Sequence, residues 1–234
     1  MIPQLHPENL AFPPLSQALR EPNGLLAFGG DLSPKRLVHA YRHGIFPWFN
    51  QGDPILWWSP DPRAIIPVDD IKINRTLRKV VNRQTFTISV NREFTRVLKL
   101  CADAPFRKEG TWITDPMVAA YTRLHQQGYA HSIEVWQENE LVGGLYGVAI
   151  NGFFSGESMF YKRSNASKIA LLALAKLLKE IDVAFIDCQI LNPFLQEMGA
   201  IEISRQAFVK LKETAINKVI AHDFWQQRTL TIYE

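Results

Sequence analysis

The 234-residue chain has only two cysteines, Cys101 and Cys188, far apart and both in apolar surroundings. A disulfide between them is one option, but two buried free thiols in a reducing cytoplasm is the expected state. No uninterrupted apolar run approaches the ~20 residues that span a bilayer. Met1–Glu8 lacks the apolar core of a signal peptide, so a cytoplasmic protein away from membranes is expected. No Cys-x-x-Cys is present, and His39 and His43, four apart, lack the Glu of a zinc-peptidase signature; no metal is expected. The glycines of residues 23–31 are not followed by the Lys-Ser/Thr ending of a phosphate loop. A Gly-x-Ser-x-Gly elbow is absent as well, and nothing supports a covalent nucleophile. Excess charge is also small: a net +3 neither requires nor excludes nucleic acid, so the distribution of charge matters more than its total.

What is present is an ordinary globular composition, 47% hydrophobic and 21% charged, in a length that suits one generous domain or two unequal ones. Residues 1–68 hold most of the prolines and the tryptophans at 48, 57 and 58. There the sequence predicts a helix capped by Ser33, with Pro34 in its first turn and Gly44 beyond its end. The prolines that follow argue against regular strands and for extended segments laid on something larger. Trp57 and Trp58 read as a small core, Trp48 as a turn at the surface. Strands over 85–90 and 131–137 and helices over 92–102 and from Asp115 to near Gly128 come next. A strand over 140–150, a type I′ turn at Asn151-Gly152 and a return strand over 153–160 follow. A mostly apolar helix over 166–180 and a short strand over 183–189 complete an α/β layer, and residues 192–234 add one or two short helices and an extended tail.

Two features carry chemistry. In Asn74–Arg83 the cations Arg75, Arg78, Lys79 and Arg83 share one helix face without an interspersed acid, and they repel one another unless a polyanion neutralises them. This face is expected to contact phosphates. In Gly143–Gln189, Glu157 and Asp187 stand inside apolar runs, where a carboxylate is costly unless paired or used. Strand alternation sets Asp187 and Gln189 on one face at a strand end. Together these features suggest a site for an apolar group attached to a polyanion; the residues alone do not name the reaction.

The strings Phe-Gly-Gly-Asp-Leu-Ser-Pro (28–34), Gly-Ile-Phe-Pro-Trp (44–48), Trp-Trp-Ser-Pro-Asp-Pro-Arg (57–63), Glu-Gly-Thr-Trp-Ile-Thr (109–114), His-Ser-Ile-Glu-Val-Trp (131–136), Gly-Glu-Ser-Met-Phe (156–160) and Ile-Asp-Cys-Gln (186–189) resemble, in order, the leucyl/phenylalanyl-tRNA–protein transferases. The resemblance runs from about residue 11 to residue 205 and is weak in the last thirty. It implies an α+β/α/β protein with a small N-terminal domain (1–68) and a larger GNAT-like acyltransferase domain (69–234) built on a mixed, mostly antiparallel sheet. It implies transfer of Leu or Phe, less so Met, from aminoacyl-tRNA to an N-terminal Arg or Lys of an acceptor protein, marking it for degradation by the N-end rule, with no cofactor. The family's aminoacyl pocket falls on Leu145, Phe154, Glu157, Met159, Leu171, Leu174 and Ile186. Its tRNA contacts fall on Trp48, Trp112, Arg75, Arg78, Lys79 and Arg83. Asp187 and Gln189 are the expected catalytic pair; whether Asp187 acts as base or only orients the incoming amine stays open. Asn82 replaces one basic position of the family, Leu145 and Leu174 replace bulkier residues of some members, and Phe194 stands where many have His. No extra apolar stripe calls for a partner, so a monomer is expected. The rivals are a CoA-dependent GNAT acetyltransferase, disfavoured because Tyr161–Ser167 lacks a Gly-rich turn before the main helix, and a non-catalytic RNA-binding module, which would leave buried carboxylates unexplained.

Overall fold

A computed structural model describes residues 2–104 and 111–232, and in it the proline-rich N-terminal segment does form strands. In chain order these elements are β1 (Gln4–Leu5), β2 (Leu25–Gly29), α1 (Pro34–Arg42), β3 (Phe46–Pro47) and β4 (Leu56–Trp58). The strands make a small sheet in the order β1-β2-β4-β3. The expectation of irregular extended segments is thus corrected. Pro47 is accommodated because β3 is an edge strand, where a missing N–H leaves no ladder bond unmade. Helix α1 starts as its sequence dictates: Ser33 Oγ accepts from the Arg36 N–H, Pro34 is the first helical residue, and Arg36, Leu37, Ala40 and Tyr41 form its buried face. Gly44, at φ +75°, turns the chain back out of the helix.

The next strand, β5 (Arg63–Pro67), lies within the segment expected to belong to the N-terminal domain, yet it is an interior strand of the second sheet. After it come α2 (Arg75–Arg83), β6 (Thr87–Val90), α3 (Phe94–Ala102), α4 (Asp115–Gln126), β7 (Ala130–Gln137), β8 (Glu140–Ile150) and β9 (Phe153–Tyr161). Then follow α5 (Ala166–Lys179), β10 (Phe185–Gln189), α6 (Pro193–Glu197), β11 (Ile201–Ile203), α7 (Arg205–Ile216) and β12 (Arg228–Leu230). The eight strands run β11-β5-β10-β9-β8-β7-β6-β12, antiparallel throughout except for the parallel pair β9–β10. The sheet is mixed and mostly antiparallel, as expected, with α5 making the crossover that a parallel pair requires. The two hairpins form where expected, but the type I′ turn expected at Asn151-Gly152 is found in the other hairpin. Glu138 and Asn139 both have positive φ, the type I′ signature, whereas at Asn151-Gly152 only Asn151 does.

Two apolar cores flank the large sheet. One joins its Tyr146, Phe153, Phe160 and Phe185 face to α1, α3, α4 and the N-terminal sheet, including Leu26 and Trp57; the other packs Ile133, Val135 and Ile186 against α5. Helix α5 can approach β8 so closely because of Gly143, where an added Cβ would sit 2.5 Å from that of Ala166.

Candidate active site

The parallel pairing of β9 and β10 lasts for two residue pairs, Phe154 with Ile186 and Ser155 with Asp187. Beyond them β10 slips register against β5 between Asp187 and Gln189, Gln189 takes a left-handed φ of 58°, and the pairing with β9 ends. The gap is a cavity of about 520 Å³ between β8, β9, α5, β10 and α6. Of the residues expected to wall an aminoacyl pocket, Leu145, Glu157, Met159, Leu171, Leu174 and Ile186 line it. Phe154 does not. Paired with Ile186 on the closed side of the gap, it is buried, and its ring packs 5.6 Å from that of Trp225. Phe194 on α6 does line the cavity, close to Lys168, which is itself ion-paired to Glu197 at 2.6 Å.

Asp187 and Gln189 are both beside this gap but in different situations. Asp187 is fully buried and does not line the cavity. Its Oδ1 accepts from Arg63 Nε (2.7 Å) and its Oδ2 from Arg63 Nη2 (2.8 Å) and Ser155 Oγ (2.8 Å). The backbone N–H of Gln189 adds a fourth bond, at 3.2 Å. A carboxylate so occupied has no free lone pair directed at a substrate, and the fork of a guanidinium is the geometry that stabilises a buried carboxylate best. Gln189, by contrast, lines the cavity. Its Nε2 donates to Ser155 Oγ at 2.7 Å. Because the single Ser155 hydroxyl proton goes to Asp187, Ser155 must accept from Gln189, and this fixes which end of the amide is the nitrogen. Asp187 therefore reaches the cavity only through Ser155 and Gln189. Arg63 in turn donates to the Gly44 carbonyl at 3.1 Å and stacks between Phe46 and Phe208.

Glu157 is the acidic group on the cavity wall. Its Oε2 accepts from the Tyr121 hydroxyl at 3.1 Å, and that hydroxyl is 2.5 Å from the hydroxyl of Tyr41 on α1. Its Oε1 is buried without a hydrogen-bond partner among the described residues. Burial raises its pKa, hydrogen bonds from Tyr41 and Tyr121 pull it down, the charge of Asp187 pushes it up and that of Arg63 lowers it, leaving it at about 7. Both tyrosines are held well above their ordinary pKa, by burial first and by the Glu157 charge second, so they stay neutral donors.

None of the expected tRNA contacts lines the cavity. Arg75, Arg78, Lys79 and Arg83 are exposed on α2 and, among the described residues, none is ion-paired; Leu77 beneath them is buried. Trp48 is 42% exposed, edge-on to Trp58, whose Nε1 donates to the Trp48 carbonyl at 2.7 Å. Trp112 is half-buried. Neither tryptophan lines the cavity. Residues 105–110, which include the start of the Glu-Gly-Thr-Trp-Ile-Thr string, lie outside the described residues. No group of three or more His, Cys, Asp or Glu gathers as a metal site among the described residues. No helix among them is long and apolar enough to cross a membrane.

Sequence reasoning missed Arg63, Ser155, Tyr41 and Tyr121. A signal existed for the first: Asp187 in an apolar run demanded a cation, and Arg63 opens an otherwise apolar strand. Tyr41 and Tyr121 gave none, since aromatic residues on the buried face of a helix are ordinary core.

The family model described as leucyl/phenylalanyl-tRNA protein transferase matches residues 65–213, and the model of that family's N-terminal domain matches residues 30–61. A leucyl/phenylalanyl-tRNA–protein transferase of Colwellia psychrerythraea is 61% identical over 98% of this chain and 97% of its own. One from Idiomarina loihiensis is 51% identical over 99% and 98%. Among solved structures, a GCN5-related N-acetyltransferase from Kribbella flavida aligns with 71% of this chain and 60% of its own, at a TM-score of 0.39 and 10% identity. From the paired sequence matches over nearly its whole length, this chain belongs to the leucyl/phenylalanyl-tRNA–protein transferase family.

Proposed function

We propose that this chain transfers Leu or Phe, and Met less readily, from aminoacyl-tRNA to the N-terminal Arg or Lys of an acceptor protein, as a cytoplasmic monomer that marks the acceptor for N-end rule degradation. The observation that carries the reading is the cavity, with apolar walls for a side chain and a polar rim, Glu157 and Gln189, for the reacting groups. Leu145, Met159, Leu171 and Ile186 suit an unbranched or γ-branched side chain better than a β-branched one. The unpaired cations of α2 suit the tRNA phosphates, and Trp48 and Trp112 suit stacking on its terminal base, worth ~1–3 kcal/mol per base.

The aminoacyl ester is already activated, so the enzyme's main task is to hold an amine against the ester carbonyl, and positioning alone supplies several kcal/mol of barrier lowering. Gln189 is the proposed contact: with Nε2 committed to Ser155, its Oε1 accepts from the incoming amine. Asp187 then acts as a positioning residue, anchored by Arg63 and holding Ser155 and Gln189 in place. The direct test is incubation with leucyl-, phenylalanyl- and valyl-tRNA and a peptide beginning with Arg, Lys or Ala, read by mass spectrometry. The expected result is one new amide bond with Leu or Phe on Arg or Lys and little with Val or on Ala. Absence of transfer from any charged tRNA would sink the reading, and saturable stabilisation by acetyl-CoA would favour an acetyltransferase in its place.

A further inference from the structure

Given that transfer activity, the acceptor's proton needs a destination. The acceptor's N-terminus arrives largely as an ammonium, with a pKa of about 7.7–8.0, and must lose a proton before it can attack. Asp187 cannot take it, because both its oxygens are occupied and it is sealed from the cavity. Gln189 can accept a hydrogen bond but not a proton at neutral pH. Glu157 differs from both. It lines the same cavity as Gln189, and one of its carboxylate oxygens, Oε1, is buried with no hydrogen-bond partner among the described residues. Leaving such an oxygen unsatisfied is costly, a cost that an arriving donor removes.

We propose that Glu157 is the general base of the transfer, taking the proton of the acceptor's α-ammonium on Oε1, and that the Tyr121–Tyr41 hydroxyl pair on Oε2 positions and tunes it. Glu157 receives one ammonium proton, and the neutral amine attacks the ester carbonyl. The C–N bond forms and the bond from the carbonyl carbon to the ribose oxygen breaks. The second amine proton goes to that departing oxygen, giving the amide and a free ribose hydroxyl, and Glu157 returns its proton to solvent. A basicity near 7 suits this task, since a general base is most effective when its pKa lies near the working pH. The groups facing Glu157 are the neutral hydroxyls of Tyr41 from α1 and Tyr121 from α4, and the charged pair of Asp187 from β10 and Arg63 from β5. The two tyrosines and Arg63 favour its ionised form and Asp187 opposes it.

The test is the pH dependence of kcat between pH 5.5 and 9, at saturating leucyl-tRNA and saturating Arg-peptide, for the full chain and three variants. Wild type is expected to rise through an apparent pKa near 7. Glu157→Gln keeps the shape of the side chain but cannot hold the proton; it is expected to lose about 100-fold or more at pH 7, with the remaining activity following the amine's own ionisation near pH 8. Tyr121→Phe and Tyr41→Phe each remove a hydrogen bond that favours the ionised carboxylate, so the acid limb moves to higher pH; a purely structural role would lower activity without moving that limb. A Glu157→Gln enzyme with an unchanged profile overturns the proposal. So does a variant whose only defect is a raised KM for aminoacyl-tRNA, which would mean that Glu157 merely holds the donor. A wild-type chain that forms no amide at any pH overturns the transferase reading itself, and this proposal with it.

Discussion

Two carboxylates beside the same cavity, Glu157 on its wall and Asp187 sealed behind it, are handled in opposite ways, and single-residue changes should separate them. Asp187 is neutralised by Arg63, and removing one member of such a pair leaves an uncompensated charge that costs about 3–5 kcal/mol. Arg63→Ala is therefore expected to lower the unfolding free energy in urea by that amount, while Arg63→Met with Asp187→Leu recovers much of it but loses activity, because Ser155 and Gln189 lose their anchor. A loss under about 1 kcal/mol for Arg63→Ala would show that the pair does not anchor the strands. Glu157 has no cation bonded to it among the described residues. Its carboxyl sits at about 7 in the folded chain against an ordinary 4.5, so between those values the folded state holds a proton that the unfolded chain has released. Stability from this group is then full below pH 4.5 and falls as pH rises to 7, by about 3 kcal/mol in all. Glu157→Gln should raise the melting temperature at pH 8 and leave it nearly unchanged at pH 4.5, and equal melting at both values would refute the assignment. His131 has the opposite sign. Burial first and the charge of His125 second hold it at about 3 against 6.5, so the unfolded chain gains the proton and stability falls as pH drops below 6.5.

At the scale of elements, those that announced themselves locally were legible and those completed by distant partners were not. The Ser33 cap of α1, the helical spacing of α2 and the β7–β8–β9 meander are built from neighbours in sequence, and all can be read from the residues. Strands β3, β4 and β5 could not, because what makes them strands is pairing: β5 gains its place from β10 and β11, far along the chain, and its proline falls at its last position. For the same reason Asp187 and Gln189 could be picked out, but their separate roles could not. Arg63 is 124 residues from Asp187, and the bulge that turns Gln189 toward the cavity breaks the alternation that put both on one face. Helix α2 is legible from its spacing alone, and its cations are exposed and not ion-paired among the described residues. If Arg78 and Lys79 each neutralise a phosphate, Arg78→Gln with Lys79→Gln should weaken tRNA binding and reduce the slope of log affinity against log salt by about 1 per cation removed. The aminoacyl side chain should not alter this change, since neither cation lines the cavity. A weakened affinity with an unchanged slope would assign the effect to shape rather than charge.

For the whole molecule, the question is whether the N-terminal part is a separate unit or a wall of the site. The family's own division, between residues 61 and 65, falls just before or within the start of β5, whereas the expected boundary after residue 68 would cut that strand away from the sheet that contains it. Wherever the boundary is drawn, the site crosses it. Tyr41 on α1 reaches Tyr121 and through it Glu157, and the Gly44 carbonyl binds the guanidinium that holds Asp187. One apolar core contains Leu26, Tyr41 and Trp57 together with Tyr121, Phe153 and Phe208. Parts that share a core and a hydrogen-bond network lose their stability together. Calorimetry of the full chain is thus expected to give one transition with matching calorimetric and van't Hoff enthalpies. Trp57 is fully buried, and Trp57→Ala is expected to cost about 3–5 kcal/mol and to lower that single transition as a whole. Two transitions, of which only the earlier moves in Trp57→Ala, would mean that the N-terminal part folds alone. In that case the Tyr41 relay would depend on docking between units, and its effect on the pH profile would weaken in mild denaturant before the large sheet unfolds.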